Sequence, residues 1–303
     1  MYSPAYLELH RSGELEHRAA RLAELARPCR LCPHRCGADR TDKDSLGLCR
    51  APLEARVSSA FAHFGEEAPL VGRMGSGTIF FSGCNLRCRF CQNWEISHMA
   101  ESGSRLSVED LAELMLNLQR HGCHNINLVT PTHYVHAIVA ALAIAAESGL
   151  GLPVVYNCGG YESLEVLGIL EGVVDIYMPD VKFFDDETGA RYLQAADYGT
   201  RCREALLAMH SQVGELKTTP QGTAYRGVLI RHLVMPGGLA GTGKWVRWIA
   251  GELSQGSYIN VMAQYRPCHE AVGDPVIGRR PSRDELTAAV EEARSAGLRL
   301  DGD

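Results

Sequence analysis

Apolar residues follow one pattern over most of the chain and a different one near its beginning. From Thr78 onward, short apolar runs alternate with stretches in which apolar residues recur every three or four positions. Short runs predict buried strands and the longer spacing predicts helices, so this region predicts repeated βα units on a parallel sheet. The predicted strands are Thr78–Ser82, Asn125–Thr130, Pro153–Tyr156, Val173–Met178, Gly227–Met235 and Ser257–Ala263.

Helices are predicted between these strands and near both ends of the chain. Ser107 and Ser282 each stand three residues before an acidic residue, a capping-box pattern that opens a helix. The helix after Ser282 is predicted to end at Gly297, and another helix is predicted over residues 134–147. Residues 4–27, with leucines among charged neighbours, predict a further amphipathic helix.

The βα units with right-handed crossovers predict either a partial barrel, about three quarters of a TIM barrel, or an open doubly wound sheet. Residues 28–73 show little periodicity and are rich in Cys, Pro, Gly and Arg, which predicts a small module organised by a metal. The predicted division is an N-terminal helix with this Cys-rich module over residues 1–73, a barrel over 74–270 and a C-terminal helical extension over 271–303.

The 303-residue chain contains 46% hydrophobic and 22% charged residues, as ordinary globular proteins do. Its formal net charge of −6 gives no bulk attraction to nucleic acid or to anionic membranes, so neither is an expected partner. The chain does not begin with a basic segment and an apolar run, and its most apolar stretch, residues 134–146, is too short to cross a bilayer. We expect a cytoplasmic protein.

Seven of the eleven cysteines fall into two tight groups, and in a cytoplasmic chain such groups predict metal binding rather than disulfides. The first group is Cys29-x2-Cys32-x3-Cys36-x12-Cys49. Its four thiolates suffice to close a zinc site or to hold an iron–sulfur cluster, and the spacing is compatible with both. His34 is a candidate replacement for one of these ligands.

Charged residues surround and follow the first cysteine group. The arginines that flank it are Arg27, Arg30, Arg35 and Arg50. Their charge could balance a negative metal–thiolate centre, or they could form a solvated or RNA-facing rim. Further along, Glu66 and Glu67 are predicted to be solvated acids in a turn.

The second group, Cys84-x3-Cys88-x2-Cys91, directly follows the first predicted strand, which is where active sites lie in βα folds. Three thiolates cannot complete a tetrahedral zinc site, but they can hold three irons of a [4Fe–4S] cluster and leave the fourth open. The alternatives are a zinc site with a fourth ligand such as His98, or three loop cysteines without a metal.

Phe90 stands immediately before the last of these cysteines, and the pattern Cys-x3-Cys-x-aromatic-Cys resembles the signature of the radical S-adenosylmethionine (SAM) superfamily. Over nearly the whole chain, longer segments resemble proteins named as relatives of the pyruvate formate-lyase activating enzyme. Those segments are Gly75–Cys88, Cys91–Ser97, Leu128–His133, Asp175–Lys182 and Ile230–Gly237. The resemblance implies a partial (β/α)6 TIM-like barrel with a [4Fe–4S] cluster on Cys84, Cys88 and Cys91.

The resemblance also implies contacts to SAM beyond the cysteines. Asn93 is implied to lie near bound SAM, and Thr130 and Thr132 stand where relatives usually carry Gly-Gly-Glu for the SAM amino group. Asn157 stands where related activating enzymes have an aspartate that helps to hold a cation. The remaining implied contacts are Asp180, Lys182 and Arg231, whereas the neighbouring His232 should point to the other side of its strand and be structural or substrate-side. Gln264 follows the sixth predicted strand, from which it could reach the adenosine or the substrate.

Together these residues predict a radical SAM oxidoreductase or transferase that cleaves SAM reductively at the cluster. The resulting 5′-deoxyadenosyl radical would abstract hydrogen from a small-molecule, peptide or protein substrate. An electron donor such as flavodoxin or ferredoxin is the expected protein partner. One alternative is a glycyl-radical activating enzyme acting on a protein partner, although Asn157 and Thr130-Pro131-Thr132 depart from its pattern. The other is a metal-organised electron-transfer or RNA-binding module without SAM chemistry.

Overall fold

The computed structural model describes residues 2–42, 46–99 and 101–302, and within these residues the chain forms strands and helices in alternation. The strands are β1 (Ala55–His63), β2 (Ser76–Phe81), β3 (Ser104–Leu106), β4 (Ile126–Val129), β5 (Val154–Cys158), β6 (Ile176–Pro179), β7 (Lys217–Thr218), β8 (Ala224–Leu233), β9 (Tyr258–Met262) and β10 (Arg299–Leu300). The helices are α1 (Tyr6–Arg11), α2 (Glu14–Leu25), α3 (Ala68–Val71), α4 (Trp94–Ser97), α5 (Val108–Arg120), α6 (Val135–Glu147), α7 (Leu164–Ile169), α8 (Asp186–Leu193), α9 (Tyr198–Val213), α10 (Thr242–Trp248) and α11 (Arg283–Ser295). Short 3-10 turns lie at Thr132–Tyr134, Pro236–Gly238 and His269–Ala271, and a π-helical turn lies at Ile249–Leu253.

The strands lie in the order β10-β9-β8-β6-β5-β4-β2-β1-β3, and β7 pairs with β8 beside this path. The neighbours from β2 to β9 in this path are all parallel, and these are the strands that the apolar runs predicted. Central strands β5 and β6 are buried along their whole length because helices cover the sheet. Since the order of described strands has two free ends, the sheet is not closed. The predicted α/β fold with a parallel, partial-barrel sheet is confirmed.

One face of the sheet carries an apolar layer with a polar layer directly after it. Leu70 of α3 packs among Val155, Ile176, Met178 and Leu229. Because successive strand residues point to opposite faces, residues two positions further along lie on the same face as this apolar layer. Those residues are Asn157, Asp180 and Arg231. The strand register therefore brings the predicted site residues together at the carboxyl end of the sheet.

The beginning of the chain differs from its prediction in two places. The single helix predicted over residues 4–27 is wrong, because Gly13 adopts a left-handed conformation (φ 74°) that separates α1 from α2. Strand β1, which was not predicted, pairs antiparallel with β2, with His63 opposite Ser76. One continuous apolar core extends from Tyr6 through Cys29 to Leu300, and so includes residues of all three predicted segments.

Both predicted capping boxes are present. The Ser107 hydroxyl accepts a hydrogen bond from the Asp110 amide at the start of α5, and Ser282 does the same with Glu285 at the start of α11. The final helix ends just before Gly297, as predicted. No helix among the described residues is long and apolar enough to cross a membrane.

Candidate active site

The three cysteines of the second group lie in a loop that leaves the carboxyl end of β2. Gly83 turns the chain there with φ 83°, and its amide donates to the Ile96 carbonyl at 2.9 Å. Further along, the Arg87 and Arg89 amides donate to the carbonyls at the end of α8, Leu193 and Tyr192. The loop is therefore held from both sides by backbone hydrogen bonds.

Phe90, the aromatic residue of the signature, anchors the middle of this loop. It is 4% exposed, and its ring packs edge-on against Phe183 and Tyr265, with ring centroids 5.6 and 6.0 Å apart. Aromatic pairs of this kind favour such edge-to-face arrangements. An aromatic residue before the last cysteine thus fixes the loop to the segments that follow β6 and β9.

The loop brings the three thiols close enough for their charges to interact. Burial raises the pKa of the Cys84 thiol to about 12 and raises that of Cys88 as well, while the Lys182 ammonium opposes both shifts. The negative charge of each buried thiolate would therefore need a nearby positive charge, which the irons of a bound cluster and Lys182 would supply. The Leu86 amide donates to the Cys84 sulfur at 3.4 Å. These donors and charges fit a cluster held by three cysteines.

Asp180 is the centre of a charged network beside the cysteines. Its carboxylate accepts hydrogen bonds from Lys182 Nζ and from Arg231 Nε, both at 2.7 Å. Arg231 Nη2 also donates to Asn157 Oδ1 at 2.6 Å. The network thus connects β5, β6 and β8, and it joins four of the residues that the resemblance implied.

Glu66 and Glu67 extend this network, and the prediction that they are solvated acids is wrong. The Glu66 side chain is 7% exposed and lies 3.7 Å from Arg231 Nη1. Glu67 is 6% exposed and accepts a hydrogen bond from Asn260 Nδ2 at 2.9 Å. Arg231 and Asn260, which lie on strands distant in the sequence, offset the cost of burying these two carboxylates. The sequence carried no local sign of those partners.

The other implied SAM contacts lie near the same edge but outside the network. Thr130 follows β4 with φ 59°, a strained conformation for a branched residue, and its amide donates to the Asn157 carbonyl. The Thr132 hydroxyl donates to Glu162 Oε1 at 2.9 Å. Asn93 is exposed at the start of α4, and the exposed Gln264 accepts a hydrogen bond from Gln92 at its carbonyl. Their contacts to SAM stay predictions.

Two further buried polar groups lie near these residues. Glu162 is 2% exposed and receives hydrogen bonds from Thr132 and Tyr156, and burial raises its pKa to about 7. His232 lies next to Arg231 but points away from the site, bonded to the Val181 carbonyl and the Thr242 hydroxyl. The alternation of strand residues predicts that Arg231 rather than His232 faces the site, and the contacts of His232 agree with this, whereas no pattern marked Glu162.

The first cysteine group lies against the same loop. Cys29 and Cys49 are buried, Cys32 is half-buried and Cys36 is exposed. His34 is bonded through Nε2 to the Asn85 carbonyl at 2.9 Å, so this nitrogen is engaged by the loop. Among the described residues, no three His, Cys, Asp or Glu side chains stand in an arrangement that could hold a single metal ion.

Comparisons with known proteins identify the family to which this chain belongs. The family model of the radical SAM superfamily matches residues 78–237, and the chain belongs to that superfamily. Membership implies a [4Fe–4S] cluster and SAM. An uncharacterized protein of Methanocaldococcus jannaschii is 34% identical over 281 residues, which cover 90% of this chain and 76% of that protein.

The fold is also similar to a solved structure, that of a radical SAM methyltransferase from Sphaerobacter thermophilus. The similarity has a TM-score of 0.48 at 15% sequence identity and covers 74% of this chain. The chain spans 64% of the length of that methyltransferase structure.

Proposed function

We propose that this radical SAM enzyme cleaves SAM reductively and uses the resulting radical to abstract hydrogen from a small-molecule, peptide or protein substrate. One observation carries the proposal: three cysteines and the Asp180 network share the carboxyl edge of the sheet, and Lys182 interacts electrostatically with both Cys84 and Cys88. A cluster site and a site for a charged cosubstrate are therefore adjacent.

Cys84, Cys88 and Cys91 would hold the cluster, with the Leu86 amide and the Ser97 hydroxyl beside their sulfurs. Three cysteine ligands leave one iron for the amino and carboxylate groups of SAM. When bound, the cluster supplies the electron that cleaves SAM to methionine and a 5′-deoxyadenosyl radical. The protein contributes by binding, orienting and shielding the reactants.

The Asp180 network would orient the polar end of SAM. Arg231 and Lys182 provide a guanidinium and an ammonium for a carboxylate, and a guanidinium can bind a carboxylate through two hydrogen bonds. In related activating enzymes, an aspartate at the position of Asn157 helps to hold a cation. Here Asn157 accepts a hydrogen bond from Arg231, and the Asp180 carboxylate accepts hydrogen bonds from two cationic side chains, Arg231 and Lys182. This arrangement favours SAM binding without that cation.

The wider setting follows from the chemistry of the proposal. A flavodoxin or ferredoxin in the cytoplasm would supply the electron, and the net reaction would be an oxidation or a group transfer. Next to the cysteine loop, a cleft of about 620 Å³ is lined in part by Arg87, Trp94 and His98. The substrate would reach the cysteine loop through this cleft.

The test is 5′-deoxyadenosine formation by anaerobically reconstituted protein with reductant and SAM. Cys88→Ala should contain about four irons fewer per chain than wild type and should form no 5′-deoxyadenosine, because two cysteines cannot hold the catalytic cluster in place. Cys123→Ala is the matched control, since Cys123 is also buried but precedes β4 at the other edge of the sheet. Full 5′-deoxyadenosine production by Cys88→Ala would contradict the proposal.

A further inference from the structure

Four cysteines converge on one small cavity although they are spread over two loops. The residues that line this cavity are Cys29, Leu31, Cys32, His34, Cys36, Leu48, Cys49, Asn85 and His133. Cys49 interacts electrostatically with Cys29, Cys32 and Cys36, and Cys29 interacts with Cys32 and Cys36 as well. Four thiols that share one cavity form a complete set of soft ligands.

The backbone around the cysteines is tightly turned. The Cys29 amide donates to the Ala38 carbonyl and the Gly37 amide donates back to the Cys29 carbonyl, at 3.1 and 2.9 Å. A Cβ at Gly47 would lie 2.5 Å from the Cys36 sulfur, so the Cys36 side chain packs directly against the backbone at Gly47. The fold thus holds Cys36 close to the loop that carries Cys49.

A buried cation provides an independent observation at the same place. Arg40 is 2% exposed, and its Nη1 has no hydrogen-bond partner among the described residues. Its other nitrogens donate to the Ala51 and Pro52 carbonyls, and in the described parts of the chain no carboxylate forms an ion pair with it. The Arg40 charge interacts with Cys29 and Cys49. The guanidinium also lies 5.4 Å from the centre of the Tyr134 ring, but none of these partners carries a formal negative charge, which thiolates bound to a metal would provide.

We propose that Cys29, Cys32, Cys36 and Cys49 bind an iron–sulfur cluster, which positions the Gly83–Asn85 segment of the catalytic loop. The spacing of these side chains does not suit a single ion such as zinc. Arg40 balances the negative charge of the cluster. The metal-binding part is independent of SAM cleavage, whereas the positioning part rests on the proposed function.

Direct contacts connect the two cysteine groups. His34 bonds the Asn85 carbonyl, and Asn85 Nδ2 donates to the Tyr161 carbonyl at 2.7 Å. A Cβ at Gly83 would lie 2.8 Å from the Cys49 carbonyl oxygen, so the two loops touch through their backbones. Cys49 also interacts electrostatically with Cys84. Binding of Cys49 to a metal would therefore fix the backbone against which Gly83 of the catalytic loop packs.

Elemental analysis tests metal binding in the whole chain. A Cys84/Cys88/Cys91→Ala triple variant should retain iron with acid-labile sulfide, whereas zinc in its place would contradict an iron–sulfur cluster at this site. Reconstituted wild-type protein, which requires no folding of a variant, should carry this iron–sulfur centre in addition to about four irons. A wild-type protein with only about four irons, together with a triple variant that contains no iron–sulfur centre, would overturn the proposal. Loss of SAM cleavage alone would leave these metal contents unchanged.

Electron paramagnetic resonance of the reduced catalytic cluster tests positioning. Cys49→Ala should remove the N-terminal metal and change both the cluster spectrum and its response to SAM. Cys123→Ala, which replaces a buried cysteine outside both groups, should leave the spectrum and the metal content unchanged. An unchanged catalytic spectrum in Cys49→Ala, with the N-terminal metal absent, would refute the positioning role.

Discussion

At the scale of single residues, Asp180 holds two cations in a place where burial alone would disfavour all three charges. Burial acts to raise the pKa of Asp180, but Arg231 and Lys182 outweigh it and hold this pKa below its usual value. A buried ion group of this kind adds little net stability, because desolvation offsets much of the attraction. The arrangement is therefore better explained by a need to orient charges toward a ligand.

Asp180→Asn should weaken SAM binding by about 1–3 kcal/mol, the usual effect of losing a hydrogen bond to a charged group. The cause would be release of Arg231 and Lys182 from their present orientation, while the cluster absorption stays intact. Calorimetry of SAM binding to the oxidised enzyme measures the change. Asp185→Asn is the control, since it breaks an exposed ion pair with Lys244. Equal affinities of wild type and Asp180→Asn would show that SAM binds elsewhere.

Residue spacing predicted some residues of the two cysteine sites and their surroundings but missed others. Cys84, Cys88 and Cys91 were predictable because short spacers after a strand keep three side chains together in any fold of this type. Arg40 and Glu67 were not, since each depends on partners far away in the sequence or in another loop. Long-range contacts of polar residues leave no periodic pattern, so burial of these charges was visible only in the structure.

At the scale of elements, β1 shows where pattern analysis fails and the central strands show where it succeeds. The central strands were predicted because both of their faces are buried and their sequences are continuously apolar. Strand β1 is only partly buried, and its sequence mixes Ala, Ser, Arg and His without regular alternation. Such an antiparallel strand near the edge of the sheet gives little periodic signal.

Gly83→Ala should lower both the iron content and the affinity for SAM, because the new methyl group would collide with the Cys49 carbonyl at 2.8 Å. Gly222→Ala is a matched control: Gly222 has φ 85° and open space around its Cβ position. Both variants pay about 1–2 kcal/mol for a left-handed alanine. Iron analysis and calorimetry would separate this shared effect from the collision. Equal iron contents and SAM affinities in the two variants would mean that the Gly83–Cys49 approach is unimportant.

At the scale of the whole molecule, buried ionisable groups make stability depend on pH in two opposite directions. Burial raises the pKa of Glu162 to about 7 and lowers the pKa of His133 to about 3 and of His232 to about 4. Folded protein therefore holds an extra proton on Glu162 and lacks protons on the histidines, relative to the unfolded chain. Glu162 makes the free energy of unfolding fall as pH rises from about 4.5 to about 7, whereas the histidines make it rise between about 3 and about 6.5. Because these effects overlap, the pH profile of the wild type alone cannot assign them.

Glu162→Gln isolates the contribution of one group. Glutamine still accepts a hydrogen bond from Thr132 or Tyr156 but has no charge to bury. The free energy of unfolding of this variant should therefore increase relative to wild type between about pH 5 and about pH 8, by at most about 3 kcal/mol. Denaturant unfolding of anaerobic protein at several pH values measures the difference. Glu285→Gln is the control, because hydrogen bonds from Arg279 hold the pKa of Glu285 well below its usual value, so its difference from wild type should stay constant over this range. A constant difference for Glu162→Gln as well would show that Glu162 is ionised at no cost in the folded protein.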